Sequence, residues 1–209
     1  MPKPERNVTN VMDEVRNSDK VSFLKSSFMK DWIYPFLGAL VLFLLIRQFV
    51  FFNVKVPTGS MLPTIQLQDR ILVTRIYNFD KIERGDILVF DSQENGKTLI
   101  KRLIGLPGDT IKLMPNGAVY VNGKLSEENY VKNQINEEEF SKGLYATASY
   151  GNMELGEYII PEGHYFFLGD NRSSSLDARY WEEPYISEDD IQGKAQFVFF
   201  PFNRFGELK

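Results

Sequence analysis

Hydrophobic positions change their spacing once along this chain, near residue 50. Between positions 32 and 46 about 15 residues pass without a charge, and positions 49–52 extend the apolar run beyond Arg47 and Gln48. No polar face recurs at helical spacing, so the run predicts a helix that is apolar all round, and a bilayer span needs about 20 such residues. Arg47 can lie within it because a long cationic side chain snorkels to the interface, while Trp32 and Tyr34 stand where interfacial aromatics collect. The alternative is a buried core helix. A cleaved leader fits less well, because about 30 residues of mixed charge precede the run and no A-x-A cleavage pattern follows it. Lys3, Arg6, Arg16, Lys20, Lys25 and Lys30 come before it. The positive-inside bias therefore predicts a cytoplasmic amino terminus, with the chain beyond about residue 50 on the far side.

Beyond the apolar run the spacing becomes that of strands: short alternating or apolar stretches broken by Gly, Pro, Asn and Asp. They predict strands at 70–76, 86–90, 98–104, 110–113, 118–121, 157–160, 164–168 and 195–200. Asn116-Gly117 and Asn122-Gly123 read as type I′ hairpin turns. The polar stretch 126–156, acidic at 137–139, reads as a loop-rich insertion belonging to a second, smaller domain. The first 20 or so residues, polar and unpatterned, read as flexible. The part after the apolar run is thus mostly β.

Composition narrows the chemistry. At 209 residues the chain holds one ordinary domain or a small core carrying an insertion, and either can bury a core. With 24 basic and 28 acidic residues the net charge is −4, which offers no basic field for nucleic acid. There is no cysteine, which excludes thiol nucleophiles, disulfides and cysteine-ligated zinc. His164 is the single histidine, so a multi-histidine metal site is excluded and a serine triad would have to use that imidazole.

Three segments carry candidate chemistry. Ser60 lies in Val56-Pro57-Thr58-Gly59-Ser60-Met61-Leu62-Pro63-Thr64, where proline and glycine suit a kinked turn that holds a hydroxyl away from the chain. The bland alternative is an ordinary polar turn. Val54, Val56, Met61, Leu62 and Ile65 around it could form an extended apolar edge on which a peptide lies as an added strand. Lys101 sits in Leu99-Ile100-Lys101-Arg102-Leu103-Ile104-Gly105, unusually apolar company for a lysine. At a pKa of about 10.4 only a few lysines per ten thousand are neutral at pH 7, but burial can lower that pKa by up to about 3 to 5 units and make the amine a usable base. A lysine whose stem packs while its head reaches water is the competing reading. The third segment, from Gly169-Asp170-Asn171-Arg172 through Ser175, Asp177 and Arg179-Tyr180-Trp181, follows an apolar strand. It reads either as a fixed loop of paired acids and arginines beneath a site or as a polar surface loop. His164 reads as a turn or strand-end histidine.

In these motifs, with Gly85-Asp86 and Lys101-Arg102-Leu103-Ile104-Gly105-Leu106-Pro107-Gly108-Asp109 between them, the chain resembles the type I signal peptidases. These are membrane-bound Ser/Lys proteases that remove signal peptides from exported preproteins. The resemblance implies Ser60 as nucleophile and Lys101 as general base. It implies an oxyanion site made by the Ser60 N–H and the Thr58 hydroxyl, at a position where serine is commoner in the family. Ser175 falls on the residue that orients the lysine, and Asp170, Asp177 and Arg179 fall on charged positions bracing the site. Ala178 and Glu182 depart from the family's usual serine and glycine. Val54, Val56, Pro57, Met61, Ile65 and Ile100 match positions lining shallow pockets for small side chains at the first and third positions before the cut. No metal or cofactor is implied, and the implied partners are preprotein signal peptides and the lipid bilayer.

The implied fold is an antiparallel β-sheet catalytic core interrupted by a smaller β domain and preceded by one transmembrane helix. Mapped here, that gives a cytoplasmic tail at 1–30, an anchor at 31–52, a core at 48–109 plus 162–209 and an insertion at 110–161. Two other readings stay open: a membrane-anchored β domain that binds peptides without cleaving them, and a Ser/Lys self-cleaving protein.

Overall fold

The computed structural model describes residues 28–94, 96–114, 117–131 and 156–208. The amino-terminal tail, Asn116 of the first expected turn and most of the expected insertion at 126–156 lie outside the described residues. The chain divides into two compact units, one ending at Val50 and one running from Phe51 to the carboxy terminus.

In the first unit a π-helical turn, Met29–Ile33, runs into the helix α1, Tyr34–Phe49. Pro35 falls at the helix start, where its missing N–H costs no hydrogen bond. The 21 residues from Met29 to Phe49 are apolar enough to cross a membrane, and none of them is buried. At about 1.5 Å per residue they reach about 30 Å, the thickness of a hydrocarbon core. The helix stops short of the expected 52. Phe51 and Phe52 instead open strand β1, Phe51–Lys55, paired with Thr74 and Val73. The apolar run continues across this junction, so hydrophobicity does not mark where helical hydrogen bonds give way to ladder bonds.

The second unit is built from antiparallel pairs. One eight-stranded sheet has β1, β2 (Arg70–Arg75), β11 (Ile191–Phe200), β3 (Ile87–Ser92), β4 (Lys97–Gly105), β9 (His164–Leu168) and β10 (Tyr185–Ser187) in that order, with β12 (Gly206–Glu207) against β11. A four-stranded sheet has the order β7 (Lys124–Leu125), β6 (Val119–Val121), β5 (Thr110–Leu113), β8 (Glu157–Ile159). The fold is therefore mostly antiparallel β with an apolar helix ahead of it in sequence; the sequence pattern predicts the strands and the helix, and the resemblance implies the antiparallel sheet. At Asn122-Gly123 both φ angles are positive, 51° and 75°, which is what a type I′ turn between β6 and β7 requires.

Period-two alternation divides the core. On β3, Ile87 and Val89 join one apolar cluster with Val56, Met61, Ile65, Ile71 and Val73. Leu88 and Phe90 join the other with Leu103, Phe166, Phe167 and Trp181. Each such fully buried side chain contributes about 1.5–3 kcal/mol through area removed from water. Phe90 stacks on Phe167 with centroids 4.4 Å apart and meets Trp181 edge-on at 6.2 Å, so the far end of the 169–181 loop is rooted in this core.

β11 crosses β2 so closely at Gly193 that a Cβ there would lie 2.3 Å from the Thr74 carbonyl oxygen. Backbone cannot yield as a flexible side chain can. Gly193→Ala should therefore lower stability by about 1–3 kcal/mol in denaturant unfolding of the detergent-solubilised protein. Gly206→Ala, whose nearest neighbour would be 3.9 Å away, should stay within about 0.5 kcal/mol. Equal losses at the two positions would overturn the close-approach argument.

Candidate active site

After β1 the chain pairs once more, Val56 N donating to the Asp69 carbonyl at 3.0 Å and Gln68 N to the Val56 carbonyl at 2.8 Å. Residues 57–67 are thus a loop closed at its base. Met61 and Ile65 within it are fully buried, and Ile65 N donates to the Met61 carbonyl at 2.9 Å. Burying those two side chains pulls the loop onto the sheet and leaves Ser60 at 8% exposure. Asp69 fixes the loop's base by accepting from Gln66 N at 2.8 Å and from Arg204 Nε and Nη2, each at 3.0 Å. Arg204 Nη2 also donates to the Thr64 carbonyl at 3.2 Å.

β4 carries Lys101, opposite Leu88 of β3. Its side chain is 4% exposed as a residue, and Nζ lies 2.6 Å from Ser60 Oγ. The ammonium donates to Oγ when charged, and the neutral amine can take the hydroxyl proton along the same line. Burial pushes the Lys101 pKa down to about 8; Asp177 and Asp170 pull it up, and Arg179 pushes it down. Near pH 7 about a tenth of molecules then hold a neutral amine, against a few per ten thousand for a solvated lysine. This arrangement has what proton abstraction from a serine needs, at hydrogen-bond range.

The 169–181 loop binds the Ser60 turn from the other side. Asn171 N donates to the Ser60 carbonyl and Asn171 Nδ2 to the Gly59 carbonyl, both at 3.0 Å. Asp170, fully buried, accepts from Arg102 Nε and Nη2 at 2.8 Å each and from Thr64 Oγ1 at 2.6 Å. Asp177 accepts from Gly169 N at 2.9 Å and from Arg179 Nε at 2.7 Å. Burial alone would raise the Asp177 pKa, but Arg179 and the Gly169 N–H hold it below the usual carboxylate range. At Gly169 a Cβ would fall 2.1 Å from Ser175 Oγ and 2.6 Å from the Ser60 carbonyl oxygen. The missing side chain is what lets this loop fold on itself and close against the Ser60 turn.

Ser60, Lys101, Asp170, Asp177 and Arg179 are drawn into one buried cluster. Ser175 joins it, but its buried Oγ has no hydrogen-bond partner among the described residues, and the expected bond to Lys101 is not made in this structure. Thr58 is exposed. Of the expected pocket residues, Val54 and Pro57 present surface, whereas Val56, Met61 and Ile65 are sealed in the core at 1% exposure or less and shape the site from beneath. Ile100 is buried with them. His164 opens β9, its Nδ1 3.0 Å from the Glu162 carbonyl. Thr64, Glu128 and Tyr130 escaped the sequence reading. Thr64 closes the quoted motif, whereas Glu128 meets its partner Arg172 across 44 positions with no local signal.

Comparison with known proteins gives this geometry a family. The description "Signal peptidase, peptidase S26" matches residues 29–200. A signal peptidase I of Bacillus licheniformis is 37% identical over 187 residues, covering 89% of this chain and 96% of the relative. Signal peptidase I T of Bacillus subtilis strain 168 is 35% identical over 194 residues, covering 92% and 96%. A crystal structure of a signal peptidase I from Enterococcus faecalis V583 aligns at 31% identity over 55% of this chain and 96% of that one, with a TM-score of 0.41. The family match and the sequence relatives, which run through both the Ser60 and the Lys101 segments, carry the assignment: the chain belongs to the signal peptidase family, peptidase S26, as a serine peptidase of the signal peptidase I type.

Proposed function

We propose that this chain is a membrane-bound endopeptidase that removes amino-terminal signal peptides from exported preproteins, cutting after small residues at the first and third positions before the scissile bond. The observation that carries the reading is the 2.6 Å approach of a buried lysine amine to a serine hydroxyl, with the lysine pKa lowered to about 8. Neutral Lys101 takes the Ser60 proton as Oγ bonds to the scissile carbonyl carbon. The Ser60 N–H and the Thr58 hydroxyl donate to the oxyanion. Lys101 then gives its proton to the leaving amine, and the C–N bond breaks to leave an acyl-enzyme. Neutral again, Lys101 takes a proton from water, which attacks the ester, and the returning proton restores Ser60. Metal and cofactor have no part in these steps.

Asp170, Asp177 and Arg179 brace the pair, and Ser175, free of other partners, can turn its hydroxyl toward the lysine. Val54 and Pro57 offer surface to the peptide, with Val56, Met61, Ile65 and Ile100 closing the floor. The apolar helix from Met29 to Phe49 is the single-pass anchor, with the amino terminus cytoplasmic and the catalytic unit on the outer side. The catalytic core comprises 48–109 and 162–209, and 110–161 is a smaller inserted domain, a division supported by the four-stranded sheet whose strands all fall inside the inserted range.

Incubating detergent-solubilised protein with a preprotein whose signal ends in Ala-x-Ala tests the reading. Ser60→Ala and Lys101→Ala should each lower kcat/KM by at least about a thousandfold. Undiminished cleavage by Lys101→Ala would sink the dyad, and no cleavage by the unmutated chain on several preproteins would favour a peptide-binding role. The sign of the pH dependence follows from the base having to be neutral: kcat/KM should rise about tenfold per pH unit below about 8 and level off above it. A rise continuing to pH 10 would mean that Lys101 titrates as a solvated amine. Thr58→Val, which keeps the branch and removes the hydroxyl, should lower kcat by about 100- to 1,000-fold, and Thr58→Ser should not. Equal activity of the two variants would exclude Thr58 as an oxyanion donor.

A further inference from the structure

One short stretch of chain outside the catalytic loop grips two of the arginines that shape it. Glu128 lies just beyond β7 and is buried, and its carboxylate receives Arg172 Nη1 at 2.8 Å on one oxygen and Nη2 at 2.7 Å on the other. Two residues on, the Tyr130 ring lies against the guanidinium of Arg102, with Cζ 3.8 Å from the ring centroid. The Tyr130 hydroxyl donates to Glu128 Oε1 at 3.1 Å, joining the two grips.

Neither contact ends at its arginine. Arg172 Nε donates to the Gly169 carbonyl at 3.1 Å, and Gly169 is the residue packed against the Ser60 carbonyl and Ser175. Arg102 carries both oxygens of Asp170, which accepts from Thr64, four residues past Ser60. A guanidinium held along two parallel bonds, or flat against a ring, loses rotational freedom as well as gaining energy. Both lines of contact from the 128–130 stretch therefore end on backbone or side chains that fix the height of Ser60.

We infer that Glu128 and Tyr130 are positioning residues for the Ser60–Lys101 pair, a clip that immobilises Arg172 and Arg102 and through them sets the alignment of the hydroxyl with the amine. The inference rests on the reading of Ser60 as nucleophile and Lys101 as base. It goes beyond that reading by giving the chain that leaves the four-stranded sheet a part in the reaction, without contact to substrate. A misplacement of about 1 Å at the reacting atoms can cost about 100-fold, so a small relaxation of either arginine is enough to be measured.

The test uses the full-length protein in detergent with a preprotein substrate, comparing Glu128→Gln, Tyr130→Leu, Tyr130→Phe and Ser60→Ala. Steady-state kcat and KM are measured together with the single-turnover acylation rate, each normalised to the folded fraction found by near-ultraviolet circular dichroism. Glu128→Gln and Tyr130→Leu should lower kcat and the acylation rate by about 10- to 100-fold with KM within about threefold. Tyr130→Phe, which keeps the ring face on Arg102, should retain kcat within about threefold of the unmutated chain, a rescue that a hydroxyl-dependent role would not give. Unchanged kcat per folded molecule in Glu128→Gln and Tyr130→Leu would overturn the inference, as would a change confined to KM. If Glu128→Gln does not fold, Tyr130→Leu decides alone. Undiminished activity of Ser60→Ala would instead sink the nucleophile assignment, whatever the clip variants do.

Discussion

The bidentate pair between Arg102 and Asp170 is the contact on which the site's assembly depends. Their side chains are 2% and 0% exposed, and they join β4, which carries Lys101, to the loop after β9 and, through Thr64, to the turn that carries Ser60. Such a pair is weak evidence for stability, since desolvating both ions offsets most of their attraction. Removing either partner alone is another matter, costing about 3–5 kcal/mol because a buried charge is left behind. Its contribution here is geometric. Three segments distant in sequence share one planar fork, and a fork admits little rotation.

The charges around Lys101 follow a common design. Arg102 is matched by Asp170, Arg172 by Glu128 and Arg179 by Asp177, all buried. Burial is the largest influence on the lysine, lowering its pKa, while Asp177 and Asp170 raise it and Arg179 lowers it. An unmatched carboxylate beside the amine would hold it protonated, and an unmatched arginine would drive its pKa lower still. Paired ions let the cluster be rigid without fixing the protonation state of the Lys101 amine.

Much of this was legible in the sequence because strands with one or both faces buried write their period into it. β2, β3, β4, β5, β6, β8, β9 and β11 all overlap stretches expected from alternation, and Lys101 announced itself as a charge inside an apolar strand. β7 and β12 are two residues long, too short for a period to show, and β10 lies between Glu182-Glu183-Pro184 and Glu188-Asp189-Asp190 with no apolar run to mark it. β1 was hidden for the opposite reason, since its aromatic residues merge with the apolar helix before them. Ser60 and Lys101 were readable together, but the burial of Met61 and Ile65 was not: the resemblance puts them at a pocket and their neighbourhood says apolar and adjacent, while packing alone decides how far such a side chain is sealed from solvent. Glu128 and Tyr130 carried no local mark, because an acid and a tyrosine after a hairpin look like any solvated turn until the chain folds back onto distant arginines.

Burying an amine has a thermodynamic side as well as a chemical one. A lysine that titrates at about 8 when folded and at 10.5 when unfolded resists being charged in the native state. At neutral pH most native molecules nevertheless carry that charge, at a cost of the order of 3 kcal/mol relative to a solvated lysine, at about 1.4 kcal/mol per pKa unit. The unfolded chain binds more protons between the two values, so this penalty is full below about 8 and relaxes as pH rises towards 10.5. Lys101 is thus a soft spot in its own fold, a side chain whose charge the native state would be more stable without.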